Sequence, residues 1–163
     1  MRTLYLDMDD VIADFRGYAT KLLGKVQEGE KWSHEDWIKL RSNERIYRDL
    51  DKTTEADELI QFCTEFCNTN SYRMLFLTAV PKGNDVRWAF YDKVLWAQKH
   101  YPDIPVMFGP FSKDKQVHCN HGDILIDDRP SNIKEWKESG GIAIQHDYGN
   151  VELTIEQLKL IRK

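Results

Sequence analysis

The chain has 163 residues, of which 41% are hydrophobic, and its 23 basic and 27 acidic side chains give a formal net charge of -4. This length suits one compact domain with a real core and a small insertion. The acidic balance predicts no stable nucleic-acid binding, and no apolar run is long enough to span a membrane. We expect no signal peptide, because an apolar strand begins directly after the first residues, and the odd count of 3 cysteines favours a reducing cytoplasm over a disulfide framework.

Apolar runs alternate with helix-like segments along most of the chain. In chain order we predict a strand at 3–7, a helix at 11–23, a loop at 25–32, a helix capped by Ser33, a short apolar piece at 46–47, a helix at 54–68, a strand at 73–78, a turn at 81–84, a helix at 85–100, a strand at 104–108, a strand at 123–127, a helix at 131–138, a strand at 142–144 and a helix at 154–162. This alternation predicts an α/β fold with helices on both faces of a parallel sheet.

The segment from about 16 to 53 interrupts the alternation, because it contains helices but no good strand. We interpret it as a small helical cap inserted after the first strand, with residues 1–15 and 54–163 forming the core domain. An elongated crossover connection is the alternative interpretation. The two differ in whether the segment closes over a site.

Paired acids follow the first apolar strand. Asp7 and Asp9 are two residues apart, so in an extended segment both side chains point to the same side. Ligands bind at this end of the strands in open α/β sheets. Two carboxylates this close call for a divalent cation or a shared proton, and one can act as nucleophile while the other donates a proton. An Asx-type turn that caps the next helix is the structural alternative.

Two later apolar runs also end in polar side chains. The run at 74–77 ends in Thr78, and the run at 124–126 ends in Asp127 and Asp128, with Lys115 between them in sequence. Each feature is weak alone, since a strand-end hydroxyl or a solvated lysine is common. The ordered set resembles the four-part signature of haloacid dehalogenase-type phosphatases and implies their three-layer fold.

This resemblance implies a role for each part. Asp7 would attack phosphorus and form an aspartyl-phosphate, and Asp9 would be the general acid and then the general base. Thr78 would donate its hydroxyl to a phosphate oxygen, and Lys115 would stabilise the charge of the transition state. Mg²⁺ suits an all-oxygen site. The implied ligands are Asp7, the backbone carbonyl of Asp9, and either Asp127 or Asp128.

The first motif resembles one family of these phosphatases more closely. The stretch from Asp7 to Phe15 is similar to the D-M-D-G-V-L-A-D-F motif of the 5'(3')-deoxyribonucleotidases. The helix-like stretch 84–101, the segment 112–115 and the motif 125–129 also resemble that family. The similarity covers nearly the whole chain and is weakest from 16 to 53.

Membership in that family would imply hydrolysis of nucleoside 5'-monophosphates, with a preference for deoxy and pyrimidine substrates. Phe15 would stack against the base or sugar, while Trp37, Ile46 and Tyr47 would line the cap side of the pocket. Aromatic faces near a phosphate site suit a nucleobase, although these side chains could equally form the core of the cap. Lys113 would add a second cation for the phosphate.

Two residues depart from the family pattern. Asp10 stands where the motif has Gly, beside the expected nucleophile, and Asp tolerates a left-handed conformation better than most residues. Ala79 follows Thr78 where the family often has Ser, so one phosphate hydrogen bond would be missing.

Three alternatives to a nucleotidase remain open from the sequence. They are a phosphatase for another small phosphate ester, such as a sugar phosphate, a non-enzymatic domain that binds phosphorylated ligands, and an enzyme acting on nucleic-acid ends. The acidic charge argues against the last. A homodimer is left open. A zinc site from the cysteines and neighbouring histidines is not favoured, because their spacing matches no common zinc pattern.

Overall fold

The computed structural model describes residues 1–29, 31–42, 45–82 and 86–161, and its centre is one parallel sheet. Its strands are β1 (Arg2–Leu6), β2 (Tyr72–Thr78), β3 (Val106–Phe108), β4 (Ile124–Asp127) and β5 (Ile142–Gln145), in the spatial order β3-β2-β1-β4-β5. Every pairing is parallel, and β1 lies between β2 and β4. The predicted α/β fold with a parallel sheet is confirmed.

Helices connect the strands. They are α1 (Phe15–Leu23), α2 (His34–Arg41), α3 (Ala56–Asn70), α4 (Ala89–His100), α5 (Pro130–Glu138) and α6 (Val151–Leu160), with a 3₁₀ helix at Ser112–His118 before β4. Ser33 caps α2 as predicted, in a reciprocal capping box with Asp36. The predicted turn at 81–84 and the start of the helix expected from 85 lie partly outside the described residues.

The helix predicted at 11–23 begins only at Phe15. The backbone N–H groups of Ile12 and Ala13 both donate to the Met8 carbonyl, at 2.9 Å, so the chain turns tightly before α1. The Asp14 side chain then accepts a hydrogen bond from the N–H of Gly17 and caps the helix. The apolar residues at 11–13 are buried by this turn and not by a helix. Their apolar character resembles that of a buried helix face, so the sequence pattern placed the start of the helix too early.

The two faces of the sheet have separate cores. Leu4 and Leu6 of β1 are fully buried in the larger cluster, together with Trp96 of α4. Tyr5, between them in sequence, faces the other side and packs edge-on against Trp136 of α5, with ring centroids 5.3 Å apart. Because both faces are covered, the central parts of the strands are apolar, and the polar side chains of interest appear at their carboxyl ends.

The segment 16–53 contains α2 and all of α1 except its first residue, and its two ends lie side by side. The N–H of Asp14 donates to the Asp51 carbonyl at 2.9 Å, and the N–H of Thr53 donates to the Ile12 carbonyl at 3.0 Å. The insertion therefore leaves and re-enters the rest of the chain through one pair of adjacent segments. Its division from the core as a cap stays a prediction.

Candidate active site

Three carboxylates meet at the carboxyl ends of β1 and β4. Asp7 directly follows β1, Asp127 is the last residue of β4, and Asp128 comes next. One oxygen from each lies within 4.8 Å of the others. The parallel pairing of β1 with β4 causes this convergence, because it aligns the two strand ends.

Lys115 joins two of these acids. Its ammonium lies 2.7 Å from Asp7 Oδ1 and 2.7 Å from Asp127 Oδ2, and its side chain is only 2% exposed. Burial alone would lower the pKa of Lys115, but Asp127 and Asp7 outweigh burial and raise it to about 12. The backbone of Lys115 can lie this close to residue 109 only because that residue is Gly, since a Cβ there would lie 2.8 Å from the backbone of Lys115. Lys115 is therefore a fixed, permanently charged cation.

Asp127 and Asp128 have different surroundings. Lys115 and the Asn132 amide donate to Asp127, as does the backbone N–H of Arg129 at 2.9 Å. Asp128 has the more distant Arg16 guanidinium, 3.8 Å away, and its side chain remains 11% exposed. Burial and then the charge of Asp127 raise the pKa of Asp128 well above its usual range. Asp128 is thus the acid of this pair that lacks close compensation.

Asp7 shares this crowding. Burial is the main cause that raises its pKa to about 6, Lys115 opposes the rise, and Asp127 and Asp9 add to it. The net effect of burial and neighbouring carboxylates exceeds the attraction of one lysine. A second cation near Asp7 and Asp128 would relieve the excess negative charge.

The Asp9 side chain points to a second buried lysine, which was not among the predicted site residues. Lys93 of α4 donates to Asp9 Oδ2 at 2.7 Å and to the Thr78 hydroxyl at 2.9 Å. Since Lys93 donates, the hydroxyl proton of Thr78 is left for another acceptor. The sequence carries a signal for Lys93, because it falls on the apolar face of α4 with Ala89 and Trp96.

Asp10 adopts the backbone conformation that its position suggests. Its φ is +62°, in the left-handed region where Gly is preferred. The backbone N–H of Arg16 donates to Asp10 Oδ1 at 2.6 Å, which ties the loop after β1 to the start of α1. Burial raises the pKa of Asp10 to about 7. Asp10 thus has the backbone conformation that Gly would favour, and its side chain adds a hydrogen bond and a buried carboxyl group.

A cavity of about 430 Å³ opens over the acids. Most of the predicted site residues line it, namely Asp7, Asp9, Phe15, Trp37, Tyr47, Ala79, Lys113, Lys115 and Asp128. Ile46 is not in the cavity wall; it is 2% exposed and belongs to the hydrophobic core. Thr78 and Asp127 lie behind the wall. Thr78 contacts Lys93, and Asp127 contacts Lys115. Lining residues that sequence reasoning missed include Trp32 and Arg41, which occupy a region without a recognisable motif.

Aromatic rings form another part of the cavity lining. The Phe15 ring is nearly parallel to those of Trp37 and Tyr47, with centroid distances of 5.8 and 5.6 Å. Phe15 begins α1, Trp37 lies in α2, and Tyr47 lies in the loop after it. The three rings predicted at separate places in the sequence therefore form one cluster.

The family model for "5' nucleotidase, deoxy (Pyrimidine), cytosolic type C protein" matches residues 1–156. The chain belongs to this family. The suspected deoxyribonucleotidase resemblance is thereby confirmed, and the chain is a member of a 5'-nucleotidase family, whose enzymes are phosphoric monoester hydrolases.

Other comparisons give only distant likenesses. No curated protein matches the chain. A HAD-superfamily hydrolase from Ehrlichia chaffeensis is 15% identical, with 98% of this chain and 99% of that chain covered and a TM-score of 0.49. A HAD hydrolase, family IA, variant 3 from Entamoeba histolytica is 15% identical, with 98% and 100% covered and a TM-score of 0.42.

The described residues form no helix with both the length and the apolar character needed to cross a bilayer.

Proposed function

We propose that this nucleotidase is a Mg²⁺-dependent phosphatase that hydrolyses nucleoside 5'-monophosphates, especially deoxyribonucleotides, through an aspartyl-phosphate on Asp7. One observation carries the proposal. A buried lysine lies 2.7 Å from Asp7 and from Asp127, and it lines the same cavity as a cluster of aromatic rings. One cavity of nucleotide size thus offers a cation for a phosphate and aromatic rings for a base.

The donor set fits Mg²⁺, since all candidate ligands are oxygens held close together. Asp7 and Asp128 would hold the ion with the backbone carbonyl of Asp9. Asp127 has its oxygens committed to Lys115, Asn132 and Arg129, so we assign it a supporting role. When bound, Mg²⁺ supplies charge neutralisation and polarises the phosphate.

The chain's own residues would carry two displacements at phosphorus. The Asp7 carboxylate attacks phosphorus, and an Asp7–phosphorus bond forms as the bond to the nucleoside oxygen breaks. Asp9 gives its proton to that leaving oxygen. In the second step Asp9 takes a proton from water, which attacks phosphorus, and the Asp7 carboxylate leaves with inorganic phosphate formed. Lys115 stabilises the negative charge in both steps.

The substrate's remaining contacts follow from the cavity. Lys113 lines the phosphate end and adds a cation, and the Thr78 hydroxyl proton is available to a phosphate oxygen. The ring cluster of Phe15, Trp37 and Tyr47 offers flat apolar surface to the base. The family name includes the words deoxy and pyrimidine, which supports that choice of substrate.

The test is phosphate release from deoxy- and ribonucleoside monophosphates and sugar phosphates, with Mg²⁺ or with EDTA. We expect Mg²⁺-dependent release that favours deoxynucleotides and is abolished in D7N. Equal rates on sugar phosphates and nucleotides would contradict the proposed nucleotide substrate. Full activity in D7N would contradict the proposed aspartyl-phosphate mechanism. Thermal unfolding tests the ion separately, because Mg²⁺ should raise the Tm of the wild type but not of D128N.

A further inference from the structure

Lys93 is a buried cation that has no direct access to the cavity, since its side chain is 1% exposed. It contacts the carboxylate of Asp9, the hydroxyl of Thr78 and, at 4.5 Å, the ring of Tyr47. We propose that Lys93 is a positioning residue that holds the Asp9 side chain where proton transfer with the leaving oxygen takes place. This inference rests on the proposed function, because it concerns the acid–base group of that reaction.

The surroundings of Lys93 are those of a fixed group. Burying an ammonium is costly unless it is paired and hydrogen-bonded, and here Asp9 and Thr78 provide both. The preceding residue, Asp92, is fully buried and accepts a hydrogen bond from Arg45 at 3.1 Å. That ion pair holds the same turn of α4 against the segment 16–53. Lys93 therefore has little freedom to leave Asp9.

Asp9 needs such support because it is the least buried acid of the site. Its side chain is 30% exposed and lines the cavity, while Lys93 engages Oδ2 only. A carboxylate held by one oxygen keeps a defined rotamer and presents the other to a reacting group. In the first step that group is the nucleoside oxygen, which gains the proton of Asp9 as its bond to phosphorus breaks.

Leaving-group dependence separates this role from a structural one. A nucleoside alkoxide needs protonation as it leaves, whereas p-nitrophenolate does not. We expect K93M to lower kcat/KM for a deoxynucleotide about 100-fold, in the range of a lost general acid, and for p-nitrophenyl phosphate less than about 5-fold. Equal losses on the two substrates, or no loss on either, would overturn the proposal.

Two further variants guard against misfolding as the explanation. K93Q, whose side chain is one atom shorter than Lys and cannot reach both Asp9 and Thr78, should give the same selective loss. K99M changes an exposed lysine of the same helix and should leave both rates unchanged. Thermal unfolding checks that each variant is folded before its rates are compared.

A double-mutant cycle tests whether Lys93 acts through Asp9. D9N should lose activity on the deoxynucleotide, and adding K93M to D9N should cost less than about 3-fold more. Independent, multiplying losses would overturn the proposal. A wild type that favours sugar phosphates over nucleotides would contradict the proposed substrate but not Lys93, because sugar phosphates also have alkoxide leaving groups and replace the nucleotide in the same comparison.

Discussion

Two parts of the cavity lining, a charged phosphate end and an aromatic ring end, are built by different parts of the fold and by different forces. At the phosphate end, Asp7 and Asp127 come from adjacent central strands and are joined by Lys115 through ion pairs of 2.7 Å. At the ring end, Phe15 and Trp37 come from α1 and α2 and contact each other through stacked faces. Strand ends thus supply fixed charges, while helices supply apolar surface.

This difference separates chemistry from recognition. Charges buried at the carboxyl ends of the strands tolerate little displacement, since each depends on a partner placed by another element of the fold. Ring contacts are individually weak and can adjust to a change in one member. We therefore expect changes at the phosphate end to abolish turnover on all substrates, and changes at the ring end to alter which substrate is preferred.

The largest effect is expected for Lys115→Met. The change leaves Asp7 and Asp127 buried without their shared cation, and breaking a buried pair in this way costs roughly 3–5 kcal/mol. We expect turnover to fall at least ~100-fold on nucleotides and on p-nitrophenyl phosphate alike, together with a lower Tm. Steady-state kinetics and thermal unfolding measure the two losses.

The pH dependence of that Tm identifies the cause. Lys115 opposes the rise in the pKa of Asp7, so without Lys115 this carboxyl group would take up a proton more readily, and the deficit in Tm relative to wild type should shrink as pH falls from 8 to 5. K99M is the matched control and should show no deficit. A deficit independent of pH would mean that Lys115 contributes packing and not charge.

A smaller and selective effect is expected for Phe15→Leu at the ring end. Leucine keeps most of the buried volume but removes the stacked faces shared with Trp37 and Tyr47. We expect kcat/KM for deoxynucleotides to fall about 3- to 10-fold, the size of an aromatic pair, with little change for deoxyribose 5-phosphate, which lacks a base.

The control for this prediction is Phe90→Leu. Phe90 also contacts another ring, that of Phe108 at 4.8 Å, but it is 42% exposed and does not line the cavity. F90L should leave both substrates unaffected. If F15L lowered the rates on deoxynucleotide and deoxyribose 5-phosphate equally, Phe15 would be a core residue and not a contact of the base.

The same contrast explains how much the sequence could predict. The acids and Thr78 were identifiable because each ends an apolar strand, and parallel strands bring their carboxyl ends to one edge. The sheet itself followed from the alternation of strands and helices, which the five parallel strands confirm. Local sequence patterns were sufficient to predict residues at the strand ends, because parallel strands place those ends together.

Residues placed by tertiary packing were harder to identify. Lys93 reaches Asp9 from a helix 84 residues away in sequence, and only its position on an apolar face marks it. Ile46 was expected to line the pocket, but an apolar side chain in a loop gives no sign of which way it faces, and it lies in the core. Likewise, sequence alone could not distinguish Asp127 from Asp128, because their hydrogen-bond partners come from other elements.

The smallest effect is expected for Asp10→Asn, next to the phosphate end. Asparagine keeps the acceptor for the Arg16 N–H and tolerates the positive φ. It removes a carboxyl group whose pKa is raised to about 7 by burial. A folded-state pKa above the unfolded value means that ionisation destabilises the wild type as pH rises, fully so above about 7. In EDTA at pH 8, D10N should therefore be more stable than the wild type, which thermal unfolding would show as a modestly higher Tm.

This gain should disappear in acid, which is what distinguishes it from better packing. As pH falls from 7 towards 4, Asp10 in the folded wild type becomes protonated and the difference in Tm between D10N and wild type should close. D49N, at a carboxylate with a 73% exposed side chain, is the control and should show no difference at either pH. A D10N gain that persisted at pH 4 would mean that Asp10 strains the loop through its shape and not its charge, and the phosphate end would then tolerate one more negative charge than its burial suggests.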